Sequence, residues 1–318
     1  MSTATCWILS DGKAGMENQC LGLAERLGLK PEIKRIVPRF PWTVLPPQLW
    51  VAPLAAPGPK GDRLAPPWPD ILIATGRQTV APALAIKRGS GGKTRTIQIQ
   101  HPRVALSRFD LVITPAHDGL SGPNVISTLG AMHRITAERL NAAADEFHES
   151  YADLPRPLIA VLLGGSNSQY RMTAASSRKL GGLLAEAARE TGAGIAVTPS
   201  RRTGEENIEA LAEGLSGVPH HIWDGTGENP YFGMLALADG FVVTNDSVNM
   251  VSEAAATGKP VHIFDLEGHS AKFDLFHKAM RDAGATRPFA GKFESWSYDP
   301  PDDLDAIATD IKSRFGLN

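Results

Sequence analysis

Cysteine is scarce in this sequence. Cys6 and Cys20 are the only two in 318 residues, too few for a disulfide scaffold or a four-cysteine zinc site. Both read as reduced thiols near a core, the state a cytosol maintains. Neither sign of charge is in surplus: 32 basic and 34 acidic side chains leave a net charge of -2. A general nucleic-acid binder needs a basic excess, so nucleic acid is not expected as a partner. No stretch reaches the roughly 18 apolar residues that span a bilayer. The opening Met-Ser-Thr-Ala-Thr has no basic n-region or Arg/Ser-rich transit pattern, and no lipidation signal stands at the C-terminus. A soluble, cytoplasmic chain is expected, with contact to a membrane surface still open to it.

Several chemical signatures are also missing. There is no G-x-G-x-x-G, no G-x-x-x-x-G-K-[ST] and no G-x-S-x-G. The histidines, at 101, 117, 133, 148, 220, 221, 262, 269 and 277, show no His-x3-His pair with a carboxylate, so no metal site is expected. Asp299, Asp302 and Asp303 stand between or beside prolines and read as a loop and helix cap.

What is present is an ordinary globular composition, 42% apolar and 21% charged, at a length that favours two domains. Short apolar runs alternate with amphipathic segments. Strands are expected at Cys6–Leu9, Ile33–Val37, Asp70–Ala74, Thr94–Gln100, Leu111–Thr114 and Val125–Thr128. A second set is expected at Leu158–Leu163, Gly194–Thr198, His221–Trp223, Gly240–Thr244 and Pro260–Phe264. This pattern predicts α/β architecture: two Rossmann-like, doubly wound parallel sheets with helices on both faces. The expected domains are 1–140 and 158–285. A linker at 141–157 joins them, and a tail at 286–318 returns its helix to the first domain. Ligands of such sheets bind beyond the carboxyl ends of the strands, and with two domains the expected place is a cleft that both face.

Five segments carry candidate chemistry. The loop Ser10-Asp11-Gly12-Lys13-Ala14-Gly15 combines an acid, a base and two glycines ahead of a helix whose N-terminus favours an anion; Asn18 and Gln19 follow as polar candidates. Gly164-Gly165-Ser166-Asn167 offers consecutive backbone N–H groups and a hydroxyl to a phosphate. Arg201 and Arg202 follow a strand and can clamp a diphosphate. Trp223 to Gly233 concentrates Gly225, Thr226, Gly227, Glu228 and Asn229, with Pro230 suited to a first helical turn. Asn245, Asp246 and Ser247 end a strand and cap a helix carrying Met250 and Glu253, whose carboxylate can accept from a ribose diol. His101 and His117 each follow a strand, where a base can sit.

Ten of the 24 prolines and three of the six tryptophans fall between Pro38 and Pro69. Proline keeps this stretch from forming helix or central strand. Trp42, Trp50 and Trp68, with Leu45, Leu49, Val51 and Leu54, give it an apolar face, and Arg35, Arg39, Lys60 and Arg63 add positive charge. It is expected to be a long ordered loop. Its tryptophans either pack on their own domain or rest on a lipid or partner surface.

The string Trp7-Ile8-Leu9-Ser10-Asp11-Gly12-Lys13-Ala14-Gly15 with Asn18-Gln19, and the string from Trp223 to Asp239, resemble the mitochondrial fission "elongated mitochondria" family over roughly residues 5 to 310. The chain looks like a bacterial-type member. For plant members the resemblance implies recruitment of a dynamin-related protein; bacterial members are sometimes labelled as nucleoside-diphosphate-sugar enzymes. Ser252-Glu253-Ala254-Ala255-Ala256-Thr257-Gly258-Lys259-Pro260 is similar to the S-E-A-x-x-x-G-x-P segment of GT-B glycosyltransferases, and Thr244-Asn245-Asp246-Ser247 to the matching turn of heptosyltransferases. That likeness implies that Glu253 holds a ribose, and that Gly164, Gly165, Ser166 and Ser247 hold phosphates. It also implies that transfer needs no metal.

The resulting expectation is a metal-independent, glycosyltransferase-like protein with no cofactor. Its substrates would be a nucleoside-diphosphate sugar and a lipid or saccharide acceptor. Helix N-termini and Arg201 would stabilise the leaving diphosphate, and Asp11 or His117 would take the acceptor's proton. The competing expectation is a non-catalytic adaptor that binds a protein or membrane surface, in the latter case through residues 38–69.

Overall fold

Buried apolar runs become strands throughout the computed structural model, which describes residues 4–301 and 304–317. The chain divides into two units, Met1–Arg134 with Asp302–Asn318, and Ile135–Pro301. Asp302 and Asp303, read above as part of a helix cap, lie outside the described residues.

The first unit runs β1 (Cys6–Ser10), α1 (Ala14–Arg26), β2 (Pro31–Arg35), β3 (Ile71–Thr75), α2 (Arg77–Gly89), β4 (Arg95–Ile99), β5 (Leu111–Pro115) and β6 (Val125–Thr128). Its sheet is parallel, in the order β2-β1-β3-β4-β5-β6. β1 and β3 are buried along their whole length, which is why both read as unbroken apolar runs. Alternation still sorts their faces. Cys6 and Ile8 pack with Leu23 of α1 and with Leu27 just past its end, while Trp7 and Leu9 pack with Val80 and Ala83 of α2. α1 begins at Ala14, so Gly15, read above as part of the loop, is accommodated in its first turn. Gln19 is therefore buried on the core side of a helix.

The second unit runs α3 (Ala137–Phe147), β7 (Leu158–Leu163), β8 (Tyr170–Arg171), α4 (Ala174–Thr191), β9 (Gly194–Pro199), α5 (Glu205–Gly214), β10 (His220–Ile222), α6 (Tyr231–Leu237), β11 (Gly240–Thr244), α7 (Val248–Ala255), β12 (Val261–Phe264), β13 (Glu267–Gly268), α8 (Ala271–Asp282) and β14 (Thr286–Pro288). Its main sheet is also parallel, in the order β10-β9-β7-β11-β12-β14. The helix α3 packs on α6, so the expected linker is partly structure of this unit. Gly233 is required there, since a Cβ would stand 2.5 Å from Phe147 Cβ. The segment after β14 also stays with this unit, where the Tyr298 hydroxyl donates to Ala255 O at 2.9 Å and Lys259 O at 2.8 Å. The last helix, α9 (Leu304–Phe315), belongs to the first unit. It buries Leu304, Ile307 and Ile311 beside α1, at about 1.5–3 kcal/mol for each large apolar side chain.

The proline-rich stretch is an ordered excursion between β2 and β3 with two short 3-10 turns. Trp50 is buried, and its indole N–H donates to Leu45 O; the Trp42 indole N–H donates to Val51 O. The exposed apolar side chains are Leu49 and Val51 of the expected face, with Val37, Phe40 and Val44. No helix among the described residues is long and apolar enough to cross a membrane.

Candidate functional site

In a doubly wound sheet the strand order reverses at one place, and loops there part to leave a crevice. In the second unit the reversal falls between β7 and β11. The loop after β7 is Gly164-Gly165-Ser166-Asn167, and the turn after β11 is Asn245-Asp246-Ser247. The two lie against each other. Gly164 N donates to Thr244 Oγ1 at 2.8 Å, and Gly165 N to Asp246 Oδ2 at 3.0 Å. The Thr244 hydroxyl donates to Asp246 Oδ1 at 2.7 Å.

From the end of β9 comes the third loop, Ser200 to Thr203. Arg202 Nη2 pairs with Asp246 Oδ2 at 2.8 Å, and Arg202 Nη1 donates to Gly165 O at 3.1 Å. The Ser200 hydroxyl donates to Gly164 O, as does Thr203 Oγ1 at 2.6 Å. The Asp246 side chain is fully buried, where an ionised carboxylate is tolerated only with this many partners. Close approach explains both glycines: a Cβ on Gly164 would stand 2.1 Å from Asp246 Oδ1, and one on Gly165 2.2 Å from Arg202 O.

This corrects the expected phosphate cradle. The amides of Gly164 and Gly165 are spent on Thr244 and Asp246. Ser166 Oγ holds both polar backbone groups of Met172, and Asn167 Oδ1 accepts from the amides of Gln169 and Tyr170. Asp246 does not cap α7 and is closed to a ligand. Asn245 is a latch between strand ends, donating to Asp265 Oδ1 at 3.0 Å and accepting from Leu266 N at 3.1 Å. His277 on α8 donates through Nε2 to Asn245 O at 2.8 Å.

The groups left facing outward are fewer. Arg201 is exposed. Ser247 caps α7, its Oγ accepting from Met250 N; the helix beyond keeps its positive N-terminal end. Met250 and Ser247 are half-buried. Two turns in, Glu253 is buried and accepts from the Tyr231 hydroxyl at 2.5 Å. Burial pushes the Glu253 carboxyl up to about 7, against the pull of that hydrogen bond. Burial and the neighbouring carboxylate raise the Tyr231 phenol well above its usual range, so the shared proton stays on the phenol.

Tyr231 opens α6 at the end of the loop from Trp223. Gly225 to Asn229 are exposed there, but the loop is internally braced. Asp224 Oδ1 accepts from the backbone and the hydroxyl of Thr226, at 2.8 and 2.6 Å. The Trp223 indole N–H donates to Thr226 O, and Asn229 Oδ1 accepts from Tyr231 N. Glu228 shares a hydrogen bond with Glu146 on α3, which raises the Glu146 carboxyl above the usual range.

In the first unit the reversal falls between β1 and β3. Asp11, Gly12 and Lys13 lie just past β1. Lys13 Nζ binds Asp11 Oδ2 at 2.6 Å, and the carboxylate is largely enclosed while the lysine is exposed. Gly12 holds φ at +80° with nothing within 4 Å of a Cβ. Gly15 and Asn18 belong to α1. His117 follows β5, enclosed beside Asp118, whose Oδ1 stands 4.0 Å from His117 Nε2. Three strand steps separate β1 from β5, about 14 Å at the usual strand spacing. Asp11 and His117 therefore do not share a proton.

Neither the Asp246 clamp nor the Glu253–Tyr231 pair was read from sequence. One signal was there: an acid following a fully buried strand demands partners, and Arg202 was the nearest cation by topology.

Comparisons with known proteins bear on this arrangement. A family model described as Mitochondrial fission ELM1 matches residues 14–315. The Mitochondrial fission protein ELM1 of Arabidopsis thaliana is 36% identical over 271 residues, covering 77% of this chain and 63% of that protein. The chain thus spans less than two thirds of the plant relative's length. The Uncharacterized protein RP120 of Rickettsia prowazekii (strain Madrid E) is 25% identical over 359 residues, covering 98% of this chain and 99% of that protein. Among solved structures, UDP-GlcNAc 2-epimerase from Methanocaldococcus jannaschii matches with a TM-score of 0.55 at 12% identity, over 97% of this chain and 99% of that one. Os79 from O. sativa in complex with UDP matches with a TM-score of 0.54 at 12% identity, over 97% and 91%. At such identities the likeness is one of fold, and the fold is GT-B-like.

Proposed function

The chain belongs to the mitochondrial fission ELM1 family, and from that premise we propose that its second unit binds the nucleoside diphosphate of a nucleotide sugar. The observation that carries this reading is the convergence of three loops on the switch point, held there by the buried Asp246, with Glu253 two turns into the helix behind. Solved structures of the same fold hold UDP.

In this reading the diphosphate lies at the N-terminal end of α7, within reach of Arg201 and the outer face of Arg202. Arg202 is held in place beforehand by Asp246 and Gly165 O, and a charge positioned before the reaction is how electrostatic stabilisation of a leaving group works best. Glu253 takes the ribose diol, with Tyr231 fixing one carboxylate oxygen. The exposed loop from Gly225 to Asn229 borders the sugar. In transfer, an acceptor oxygen bonds to the anomeric carbon while the bond to the diphosphate oxygen breaks. The acceptor proton passes to a base, and Asp11 is the candidate for an acceptor hydroxyl held by the first unit. The test is calorimetric titration with UDP and UDP-sugars. Binding that is weakened about tenfold or more by Glu253→Gln and by Arg201→Ala supports the reading, at the worth of one charge-assisted hydrogen bond each. No binding of any nucleotide overturns it.

A second reading has its own observation. Among the described residues, five of the six exposed large apolar side chains lie between Val37 and Val51, and scattered single exposures would not cluster so. Arg39 stands over the Trp42 ring at 5.6 Å beside them. This segment is suited to an anionic membrane surface. Flotation with phosphatidylglycerol vesicles is expected to recover wild type and to lose Phe40→Glu/Val51→Glu. Equal recovery overturns it.

A further inference from the structure

A cavity of about 650 Å³ opens in the first unit where β1 and β3 begin, the opposite end of that sheet from its switch point. Its wall holds three cations, Lys30, Lys34 and Arg63, and two indoles, Trp7 and Trp68. The one acid, Glu32, is already bound to Lys34 Nζ at 2.5 Å. Lys34 also stands 4.8 Å over the Trp7 ring. Lys30 and Arg63 are exposed and have no hydrogen-bond or ion-pair partner among the described residues.

The indoles single out the same place. Four of the six tryptophans donate their ring N–H to backbone carbonyls: Trp42, Trp50, Trp223 and Trp296. The other two, Trp7 and Trp68, have no such partner among the described residues, and both line this cavity. They meet edge to face, with centroids 6.1 Å apart, which leaves a firm apolar wall. Trp68 is backed by α2, where a Cβ on Gly89 would stand 3.3 Å from the indole.

Unspent donors and a net positive wall, set in a concavity, select a ligand that is anionic and rich in acceptors. Indole walls select a flat or apolar body. The volume falls within the range of about 300–1,000 Å³ common for small-molecule sites. We propose that this cavity binds a small organic phosphate with a flat or apolar body, independently of the nucleotide site of the second unit.

The test uses the full chain, labelled with nitrogen-15 and titrated with phenyl phosphate, inorganic phosphate and benzyl alcohol. Phenyl phosphate is expected to shift the indole signals of Trp7 and Trp68 and leave the other four in place. Inorganic phosphate and benzyl alcohol bind at least about tenfold more weakly, since each lacks one half of the recognised chemistry. Lys30→Ala/Arg63→Ala, which removes two exposed side chains and leaves the core untouched, is expected to weaken phenyl phosphate about tenfold to a hundredfold. Saturating UDP does not displace it. Vesicles carrying phosphatidic acid separate a lipid source from a soluble one: shifts of the same two signals assign the lipid, and their absence with phenyl phosphate still bound assigns a soluble phosphate. Unmoved Trp7 and Trp68 signals, or equal affinity in the double variant, overturn the proposal.

Discussion

Each unit ends its first buried strand in a glycine-bearing loop at a switch point, and the two are built in opposite ways. In the second unit the loop is clamped from outside: Asp246, Thr244, Ser200, Thr203 and Arg202 take up the backbone groups of Gly164 and Gly165. In the first unit the loop is held mainly from within. Asp11 binds Lys13, two residues on, and Gly12 N donates to Ser10 Oγ at 3.0 Å. The glycines differ in kind as a result. Gly164 is there because its neighbours come too close for a Cβ, and Gly165 for that reason together with a φ of +149°; Gly12 is there for its positive φ alone. A glycine-rich loop after a strand therefore does not by itself say that its amides await a phosphate.

The sharpest test of that contrast is the clamp. Asp246→Ala removes the acceptor for Gly165 N, the acceptor for the Thr244 hydroxyl and the partner of Arg202. Arg202 is partly exposed and can rehydrate, so the cost lies mostly in the buried donors, about 3 kcal/mol in urea unfolding. Asp246→Asn keeps an acceptor oxygen and is expected to cost clearly less. Gly164→Ala forces a methyl into the Asp246 carboxylate, at about 2–3 kcal/mol. Gly12→Ala in the first unit meets no neighbour and pays only for its φ, about 1 kcal/mol. Equal costs for Gly164→Ala and Gly12→Ala would break the comparison.

Glu253 extends it to pH. Its folded value of about 7 lies above the ordinary 4.5, so the folded state holds a proton that the unfolded state has lost. The stability it contributes is complete below pH 4.5 and gone once the pH has risen through 7. That loss is at most about 3 kcal/mol. Glu253→Gln, which keeps an acceptor for Tyr231, is expected to flatten this part of the profile in unfolding measured from pH 4 to 8. If the ribose diol needs the carboxylate, UDP affinity rises through pH 7 in wild type and not in the variant. A flat wild-type profile would place Glu253 in a wetter site than its burial indicates.

How much of this was legible follows from the same physics. Leu158–Leu163 and Gly240–Thr244 could be bounded from sequence because a strand buried on both faces is an unbroken apolar run. The start of α1 was missed because Gly15 looks like loop and is tolerated in a first turn. The candidate loops were visible as loops. Their state of satisfaction was not: Gly165, Arg202 and Asp246 meet only when β9, β7 and β11 lie side by side, and no local pattern encodes that. The same holds for Tyr231 and Glu253. In the proline-rich excursion, composition marked the segment and part of its outer face, Leu49 and Val51, but the tryptophans turned inward while Phe40 and Val44, not singled out, turned out.

A smaller effect is expected from His277, which supports the second unit's turn from behind. Burial lowers its imidazole; Arg281 adds to this, while the hydrogen bond to Asn245 O and the carboxylates of Asp265 and Asp274 act against it. Nδ1 is buried with no partner among the described residues, so a second proton has nowhere to go. The unfolded state takes up that proton more readily, so the contribution is intact above pH 6.5 and lost as the solution is acidified. His277→Gln is expected to remove this acid-side loss, read from melting temperatures at pH 7 and pH 5.

The smallest effect on stability belongs to the first unit's loop, and that is what makes it informative. Asp11→Asn breaks an ion pair with an exposed lysine, an interaction worth no more than about 1 kcal/mol. Unfolding should barely move, within about 0.5 kcal/mol. If Asp11 accepts a proton from an acceptor hydroxyl, the same substitution abolishes transfer while leaving calorimetric binding of UDP unchanged, because the nucleotide is held by the other unit. Stability, nucleotide binding and transfer then separate in a single variant. Asp246→Ala cannot separate them, since its clamp serves fold and site at once. An Asp11→Asn protein that still transfers sugar at the wild-type rate would remove Asp11 from the chemistry and leave its loop as a simple turn.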